Sequence, residues 1–263
     1  MEKDINNYYY IIEGGTLMAS LKISKVSKSF GVEKIIEDIS IAVHDKEIVT
    51  LLGASGVGKT TLFNVASGLE VPEEGQVFLD DEDITGRPGK VSYMLQKDLL
   101  LPYRTIEDNV ILPLLIKGEK KLAARDKIAP YFEIFGLAGT EKKYPSQLSG
   151  GMRQRAALLR TYLFSDKVAL LDEPFSGLDT MTRSAIHQWY LGVCEKVSMS
   201  TILITHDIDE AILLSDRIYL LGGKPGKIIS EIVVNHPRPR TAEFNLTDEF
   251  REYKRKILQQ LEN

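Results

Sequence analysis

The sequence predicts an α/β fold in which helices cover both faces of a mainly parallel β-sheet. Short, near-continuous apolar runs alternate with helical patterns along the chain, as is typical of strands buried on both faces. A glycine-rich loop directly follows one of these runs, and two acidic residues follow another. The clearest runs are Glu47–Leu52, Lys167–Leu171 and Thr201–Thr205.

The remaining elements follow from local patterns. Alternation of apolar and polar residues over Leu21–Val26 and Ile35–Val43 predicts two half-buried strands. Further segments of the core read as helices or strands bounded by turn residues. They are the helices Thr60–Gly68, Thr182–Lys196 and Asp209–Leu214, the strand Gln76–Leu79, and a final helix Thr247–Leu261.

The sequence pattern changes between Leu99 and Phe164, where predicted helices follow one another without predicted strands between them. Ile106–Ile116 and Ala123–Phe135 read as helices, and Gly136 is a stop signal after the second. We therefore expect a helical subdomain, about residues 98–165, inserted into the α/β core.

The composition of the chain excludes some classes of function. The 263 residues carry a formal net charge of -4, so the chain lacks the basic footprint of a nucleic-acid-binding protein, and no nucleic-acid partner is expected. The single cysteine, Cys194, cannot form a disulfide framework. No apolar stretch reaches the roughly 20 residues of a membrane span. Any membrane span would come from another chain.

The first 18 residues lack the pattern of a secretion signal. Residues 1–18 are either a flexible arm or a mis-assigned start, with translation beginning at Met18.

The loop from Gly53 to Thr60 fits G-x-x-x-x-G-K-[ST] in full and lies between a predicted strand and a predicted helix. Its backbone N–H groups and the helix N-terminus favour phosphate binding. Lys59 would reach the β- and γ-phosphates, and the Thr60 hydroxyl would bind Mg²⁺. The predicted nucleotide-binding residues here are Gly53, Ala54, Ser55, Gly56, Val57, Gly58, Lys59, Thr60 and Thr61.

Two carboxylates end the strand Lys167–Leu171. Asp172 is placed to hold Mg²⁺, and Glu173 to polarise an attacking water. Buried strands often end in solvated acids, but downstream of this loop the pattern favours a nucleotide hydrolase.

Leu148-Ser149-Gly150-Gly151-Met152 resembles the signature sequence of ABC ATPases and lies between the two motifs as it does in that family. Ser149 also reads as an ordinary helix N-cap, which is compatible with anion binding. The resemblance implies that Ser149, Gly150 and Gly151 bind the ATP held by a partner subunit, in a head-to-tail homodimer. Met152 stands where glutamine is commoner.

The resemblance extends over nearly the whole chain from Leu21. It implies that Gln96 contacts Mg²⁺ and water, that His206 contacts the γ-phosphate, and that Asp179 communicates across the dimer. Phe30 matches the aromatic residue that stacks on adenine, although a phenylalanine at a strand end is frequently core.

The resemblance also implies the fold of a P-loop NTPase. A RecA-like parallel core would carry an N-terminal antiparallel β subdomain and the inserted helical subdomain. The ATPase domain would span residues 19–240, followed by a helical tail at residues 241–263.

The C-terminal segments Gly222–Ile228 and His236–Arg240 resemble ATPase subunits of nitrate, sulfonate, taurine, bicarbonate and pyrimidine-precursor importers. The implied partners are membrane permease subunits and a solute-binding protein, at the cytoplasmic face of the cell membrane. A surface loop and a solvated basic tail, or a tail facing lipid headgroups, are alternative interpretations. Candidates for the permease contact are Leu99, Leu100, Leu101 and Tyr103.

Other classes stay open. An exporter or lipoprotein-release ATPase is the strongest alternative within the family. A soluble ABC ATPase of DNA repair or translation would carry coiled-coil insertions or a second ATPase unit, neither of which the sequence has. A metabolic P-loop kinase would have no use for Leu148–Met152.

Overall fold

The computed structural model of the protein describes residues 11–12, 15–16, 19–165 and 167–262. Most of the predicted arm or mis-assigned start, including Met18, lies outside the described residues. Within the described part of the chain, none of the helices combines the length and apolar character that a membrane span requires.

Strands and helices alternate in the core as predicted. The strands are β1 (Ile11–Ile12), β2 (Gly15–Thr16), β3 (Ala19–Phe30), β4 (Glu33–His44), β5 (Ile48–Gly53), β6 (Glu74–Leu79), β7 (Glu82–Asp83), β8 (Ser92–Met94), β9 (Val168–Asp172), β10 (Ser200–Thr205), β11 (Arg217–Gly222) and β12 (Lys227–Val233). The α-helices are α1 (Lys59–Ala66), α2 (Ile106–Val110), α3 (Leu112–Ile116), α4 (Lys121–Ile134), α5 (Gly150–Phe164), α6 (Thr180–Val197), α7 (Ile208–Leu214) and α8 (Asp248–Leu261). Short 3-10 helices span Pro145–Gln147 and Ala242–Leu246.

The larger sheet has the strand order β12-β11-β5-β10-β9-β8 and is parallel except for β12 at one edge. Successive side chains of a strand point to opposite faces, and here both faces are buried. In β10, Ile202 and Ile204 pack into one hydrophobic cluster and Leu203 into the other. This two-sided burial explains why the central strands read as continuous apolar runs.

The smaller sheet is antiparallel, with the order β4-β3-β6-β7. Its buried residues, such as Leu21 and Ile41, share a cluster with α1 and with one face of the parallel sheet. The second cluster lies on the opposite face and includes the buried side chains of α2 to α7.

The single helix predicted over Ile106–Ile116 is wrong in one detail, because α2 ends at Val110 and α3 begins at Leu112. Pro113 has no N–H to donate to the carbonyl of Asn109, so the hydrogen-bond ladder of one helix cannot continue into the next.

The parallel strands bring their carboxyl ends to one edge of the larger sheet. In the register, Gly53 lies opposite Leu221, Asp172 opposite Ile204, and Thr205 opposite Leu52. Loops that leave these strand ends meet there, which is where open α/β sheets bind ligands.

Candidate active site

The glycine-rich loop connects β5 to α1, and packing requires glycine at two of its positions. A β-carbon on Gly53 would lie 2.4 Å from the carbonyl oxygen of Leu221. Gly58, the N-cap of α1, has φ 107°, and its β-carbon would lie 2.4 Å from Ile36 Cγ2. The loop backbone is therefore packed between β11 and β4.

Lys59, the first residue of α1, is buried. Its Nζ donates hydrogen bonds to the carbonyl oxygens of Gly53 (2.7 Å) and Ala54 (2.8 Å). Desolvation lowers the pKa of Lys59, and the charges of Glu173 and Asp172 oppose that shift. A desolvated cation at the mouth of this loop favours binding of an anion.

Asp172 ends β9 and faces Thr60 at the start of α1. The Thr60 hydroxyl donates to Asp172 Oδ2 over 3.1 Å, and the Tyr93 hydroxyl lies 3.5 Å from the same oxygen. Asp172 is buried, and it forms no ion pair with any of the described residues. Desolvation raises the pKa of Asp172, and Glu173 adds to the rise.

The carboxylate of Glu173 contacts two other predicted site residues, Gln96 and His206. Its Oε2 accepts a hydrogen bond from Gln96 Nε2 (3.1 Å), and its Oε1 lies 3.0 Å from His206 Nδ1. Glu173 has φ 46°, an uncommon backbone conformation for a non-glycine residue that clusters at active sites. The structure thus holds this carboxylate, which follows β9, between residues that follow β8 and β10.

His206 lies between β10 and α7, and its side chain is 56% exposed. Asp207, the N-cap of α7, accepts hydrogen bonds from the N–H groups of Asp209 and Glu210. The cap fixes the start of the helix directly after the histidine.

Ser149, Gly150 and Gly151 form the beginning of α5. Ser149 is the N-cap, and its Oγ accepts from the N–H of Met152 over 3.3 Å. A β-carbon on Gly151 would lie 3.3 Å from Thr182 Cγ2, so this segment lies beside the start of α6.

Asp179 is the N-cap of α6, and its Oδ1 accepts from the N–H of Thr182 over 3.1 Å. The structure therefore brings Asp179 close to Ser149–Gly151. In the part of the chain that the structure describes, no hydrogen bond or ion pair joins Ser149–Gly151 to residues 53–61.

Phe30 ends β3 with half of its side chain exposed, so it is not a core residue. Lys28 Nζ lies 5.3 Å from the centroid of its ring. The paired strand β4 carries Ile36, which lies against Gly58. Phe30 thus stands at an exposed hairpin near the glycine-rich loop, and its stacking on adenine stays a prediction.

The leucine-rich segment after Gln96 borders a groove of about 400 Å³. Leu99, Leu101 and Tyr103 are exposed as a docking role requires, whereas the prediction is wrong for Leu100, which is buried. Leu100 packs into the same hydrophobic cluster as the buried side chains of α2 and α5. The groove is lined by residues of the sheet edge and of α3 and α5, among them Leu95, Lys97, Leu99, Pro113, Ile116 and Arg160.

Sequence reasoning missed two residues that contact the site. Tyr93 reaches Asp172 as described above. Arg183, on α6, donates to the carbonyl oxygen of Leu178 (2.9 Å) and pairs with Asp207 (3.6 Å). It bridges the segment before Asp179 and the segment after His206, and no local motif signals the pair with Asp207 because that residue is distant in sequence.

Comparisons with known proteins show what the chain is similar to. Residues 36–176 match the ABC transporter family. The chain is 46% identical over 200 residues to a formylaminopyrimidine import ATP-binding protein, ThiZ, of Halalkalibacterium halodurans, covering 76% of this chain and 78% of that protein. It is 39% identical over 247 residues to an aliphatic sulfonates import ATP-binding protein, SsuB, of Bacillus cereus, covering 92% of this chain and 96% of that protein.

Solved structures agree with the fold. A dimeric ATP-binding cassette, MJ0796, bound to ADP and Pi in a post-hydrolysis state, is similar with a TM-score of 0.68 and 27% identity, covering 82% of this chain and 100% of that chain. The cbiO1 structure from Clostridium perfringens, part of an ABC transporter complex, has a TM-score of 0.75 at 22% identity, covering 92% of this chain and 96% of that chain. The predicted fold class is confirmed. The chain belongs to the ABC transporter family and is an ATP-binding cassette with the P-loop NTPase fold.

Proposed function

We propose that this chain is the ATP-hydrolysing subunit of an ABC importer, which uses ATP-driven closure of a dimer to power solute uptake through separate membrane permease subunits. The observation that carries the proposal is the placement of the Glu173 carboxylate between Gln96 (3.1 Å) and His206 (3.0 Å), next to Asp172. This is the arrangement that positions a water for attack on a phosphate.

Hydrolysis depends on these residues in the following way. Glu173 orients the attacking water and accepts its proton. His206, whose ring is exposed beside Glu173, contacts the γ-phosphate and holds the carboxylate in place. Lys59 stabilises the charge on the transferred phosphoryl group, because phosphoryl transfer needs positioning and charge stabilisation more than covalent chemistry.

ATP is bound by the loop Gly53–Thr60 and by Thr61, with adenine stacked on Phe30. When Lys59 turns from the carbonyl oxygens of Gly53 and Ala54 to the phosphates, it exchanges two neutral acceptors for an anion. The donor is charged in both cases, and the phosphates add the attraction between opposite charges.

The donor set fits Mg²⁺. Thr60, Asp172 and Gln96 supply the oxygen ligands that a hard cation prefers, and Mg²⁺ in nucleotide sites takes only one or two carboxylates. The buried carboxylate of Asp172 has hydroxyl partners and no ion pair among the described residues, so a bound cation would stabilise its charged form. When bound, Mg²⁺ would neutralise charge on the β- and γ-phosphates.

The second half of each nucleotide site comes from another subunit. Ser149 and Gly151 present the N-terminus of α5 to the γ-phosphate bound by Lys59 of the partner, in a head-to-tail homodimer. The dimeric state of the MJ0796 cassette supports this arrangement. Asp179, which lies beside this segment, would link the two sites.

The import function rests on the relatives, which are named as import ATP-binding proteins for formylaminopyrimidine and for aliphatic sulfonates. A cargo of that general type, a small polar solute delivered by a solute-binding protein, is proposed here. The subunit would work at the cytoplasmic face of the membrane. Its groove, which Leu99 lines, would receive the permease together with the exposed residues Leu101 and Tyr103.

The test is a pull-down of the tagged full chain from detergent-solubilised native membranes, with partners identified by mass spectrometry. We expect a permease with several membrane spans and a solute-binding protein. Leu99→Asp should lose the permease, whereas Leu246→Asp, at an exposed leucine of the C-terminal segment, should retain it. An ATP-hydrolysing preparation that recovers only soluble partners would overturn the proposal.

A further inference from the structure

Arg240 is the largest fully buried side chain of the described chain, with 1% of its surface exposed. One alternative interpretation of the sequence placed Arg240 in a solvated basic tail, and for this residue that interpretation is wrong. A buried guanidinium must satisfy its five N–H donors inside the protein. Its partners therefore show what the residue does.

All of these partners are backbone carbonyl oxygens. On one side, Nη1 donates to Ile212 (2.9 Å), Leu213 (3.3 Å) and Ser215 (2.6 Å). These groups form the C-terminal end of α7, where helix carbonyls have no intrahelical partner.

On the other side, the guanidinium holds the segment that follows β12. Nη2 donates to the carbonyl oxygens of Val234 (3.1 Å) and His236 (2.7 Å), and Nε donates to His236 (2.9 Å). Arg240 thus joins the end of α7 to residues 234–240 through a single planar group. Lysine could not reproduce this fork of donors.

The charge has no carboxylate in contact with it, since no ion pair of Arg240 exists among the described residues. Burial lowers the pKa of Arg240 to about 10, so the guanidinium stays protonated at neutral pH. The carbonyl end of a helix favours a cation. The carbonyl oxygens at the end of α7 and those of Val234 and His236 therefore compensate the buried charge.

The opposite end of α7 begins directly after His206. The helix has only seven residues, so a shift of its C-terminal end is transmitted to the histidine. Two further contacts hold its flanks. His187 of α6 lies 3.2 Å from the buried carboxylate of Glu210, and Lys254 of α8 pairs with Asp209 at 2.6 Å.

We propose that Arg240 is a positioning residue for His206, and that residues 234–240 and α8 form a clamp on α7 that belongs to the catalytic unit. The inference rests on the proposed role of His206 in hydrolysis. The predicted boundary between an ATPase domain at 19–240 and a tail at 241–263 would then divide a single functional unit.

Arg238 provides a matched control. It lies two residues away and donates to Asp216 Oδ1 (2.9 Å) and to the carbonyl oxygen of Lys46 (3.0 Å), groups that precede β11 and β5 and lie outside α7. Arg238→Met therefore removes a guanidinium from the same segment without uncapping α7.

The experiment measures kcat, KM for Mg-ATP and the melting temperature of the full chain for Arg240→Met, Arg240→Lys and Arg238→Met. We expect Arg240→Met to lower kcat by about tenfold or more, since misplacement of a catalytic group by about 1 Å can cost a hundredfold. KM should stay within about twofold, because the nucleotide-binding loop is untouched. Arg240→Lys should fall between the wild type and Arg240→Met, and it replaces that variant if the methionine chain does not fold.

A double-mutant cycle with His206→Ala separates positioning from general destabilisation. Hydrolysis is followed with enzyme in excess over radiolabelled ATP, so that slow residual turnover is measured. If Arg240 acts through His206, Arg240→Lys should change the rate of the His206→Ala chain by less than about twofold.

Three outcomes would be decisive. Equal losses in both backgrounds, or a loss no greater than that of Arg238→Met, would overturn the inference. A wild-type chain that does not hydrolyse ATP would instead overturn the proposed function. A kcat loss at Arg240 that disappears in the His206→Ala background would support both.

Discussion

Two regions of the molecule carry residues that we propose bind phosphate, and they differ in how many of their site residues contact one another. At the carboxyl edge of the parallel sheet, Thr60 contacts Asp172, and Glu173 contacts Gln96 and His206, all within one chain. At the start of α5, the hydrogen bond of Ser149 is to its own helix, and Ser149 and Gly150 are exposed. The residues of the first region contact one another within one chain, whereas the second region is exposed at the surface. The difference favours a site completed by a second copy of the chain.

The largest expected effect separates binding from chemistry in the first region. Glu173→Gln should lower ATP turnover by at least about a hundredfold, the usual contribution of a general base, while ATP binding persists because Lys59 and Thr60 are intact. The trapped ATP should shift the chain to a dimer, seen by light scattering with and without Mg-ATP. Glu252→Gln, on the exposed face of α8, is the control. Normal turnover of Glu173→Gln would refute the assignment.

The second region can be weakened without touching the first. Ser149→Ala should lower the free energy of unfolding by about 1 kcal/mol through loss of the N-cap, and it should also slow hydrolysis with ATP binding unchanged. Thr105→Ala removes an equivalent cap from α2, where Thr105 accepts from the N–H of Asp108 over 3.2 Å. Urea denaturation and ATPase assays compare the two variants. Equal effects on hydrolysis would reduce Ser149 to a structural cap.

Substitution of Phe30 tests whether this residue belongs to the proposed nucleotide site of the first region. If adenine stacks on this exposed ring, Phe30→Ala should weaken ATP binding by about 1 kcal/mol, or roughly fivefold in Kd. Phe30→Tyr keeps the aromatic face and should bind as the wild type does. Titration with a fluorescent ATP analogue measures both. An unchanged Kd for Phe30→Ala would remove this residue from the site.

The smallest expected effect concerns stability without nucleotide. Burial raises the pKa of Asp172 in the folded chain, so ionisation of this group favours the unfolded state. The cost is absent below the ordinary pKa of an aspartate, about 3.9, and grows as the pH rises. Asp172→Asn should therefore raise the melting temperature of the nucleotide-free chain, and the gain should be larger at about pH 7.5 than at about pH 5. Calorimetry at both pH values checks the sign, and a melting temperature of Asp172→Asn below that of the wild type at the higher pH would contradict it.

The sequence predicted the residues whose placement depends on local pattern. Lys59, Asp172 and His206 each follow an apolar strand, so the parallel register alone brings them to one edge. Contacts between segments that are distant in sequence could not be predicted. The placement of Gln96 against Glu173, of Arg183 against Asp207 and of Arg240 against α7 each joins residues that no spacing rule relates.

The C-terminal region shows the same limit. The strand pair β11 and β12 was not predicted, and the surface-loop interpretation covered only Gly222–Ile228, which includes the turn between the two strands. A basic run such as His236–Arg240 indicates solvent exposure only when the folded chain offers no hydrogen-bond acceptors to its side chains. Here the free carbonyls of a helix end do so, and they are visible only in the folded chain.

The most direct test of the account mixes two inactive variants. Lys59→Ala lacks the phosphate-binding lysine but keeps the start of α5, whereas Ser149→Arg blocks that start but keeps the lysine. In a head-to-tail dimer, one of the two sites of each mixed pair is complete. The account predicts that mixing equal amounts restores up to about a quarter of wild-type ATPase activity, if pairs form at random and sites act independently. A mixture as inactive as either variant alone, with mixed dimers demonstrated by tagging, would contradict it.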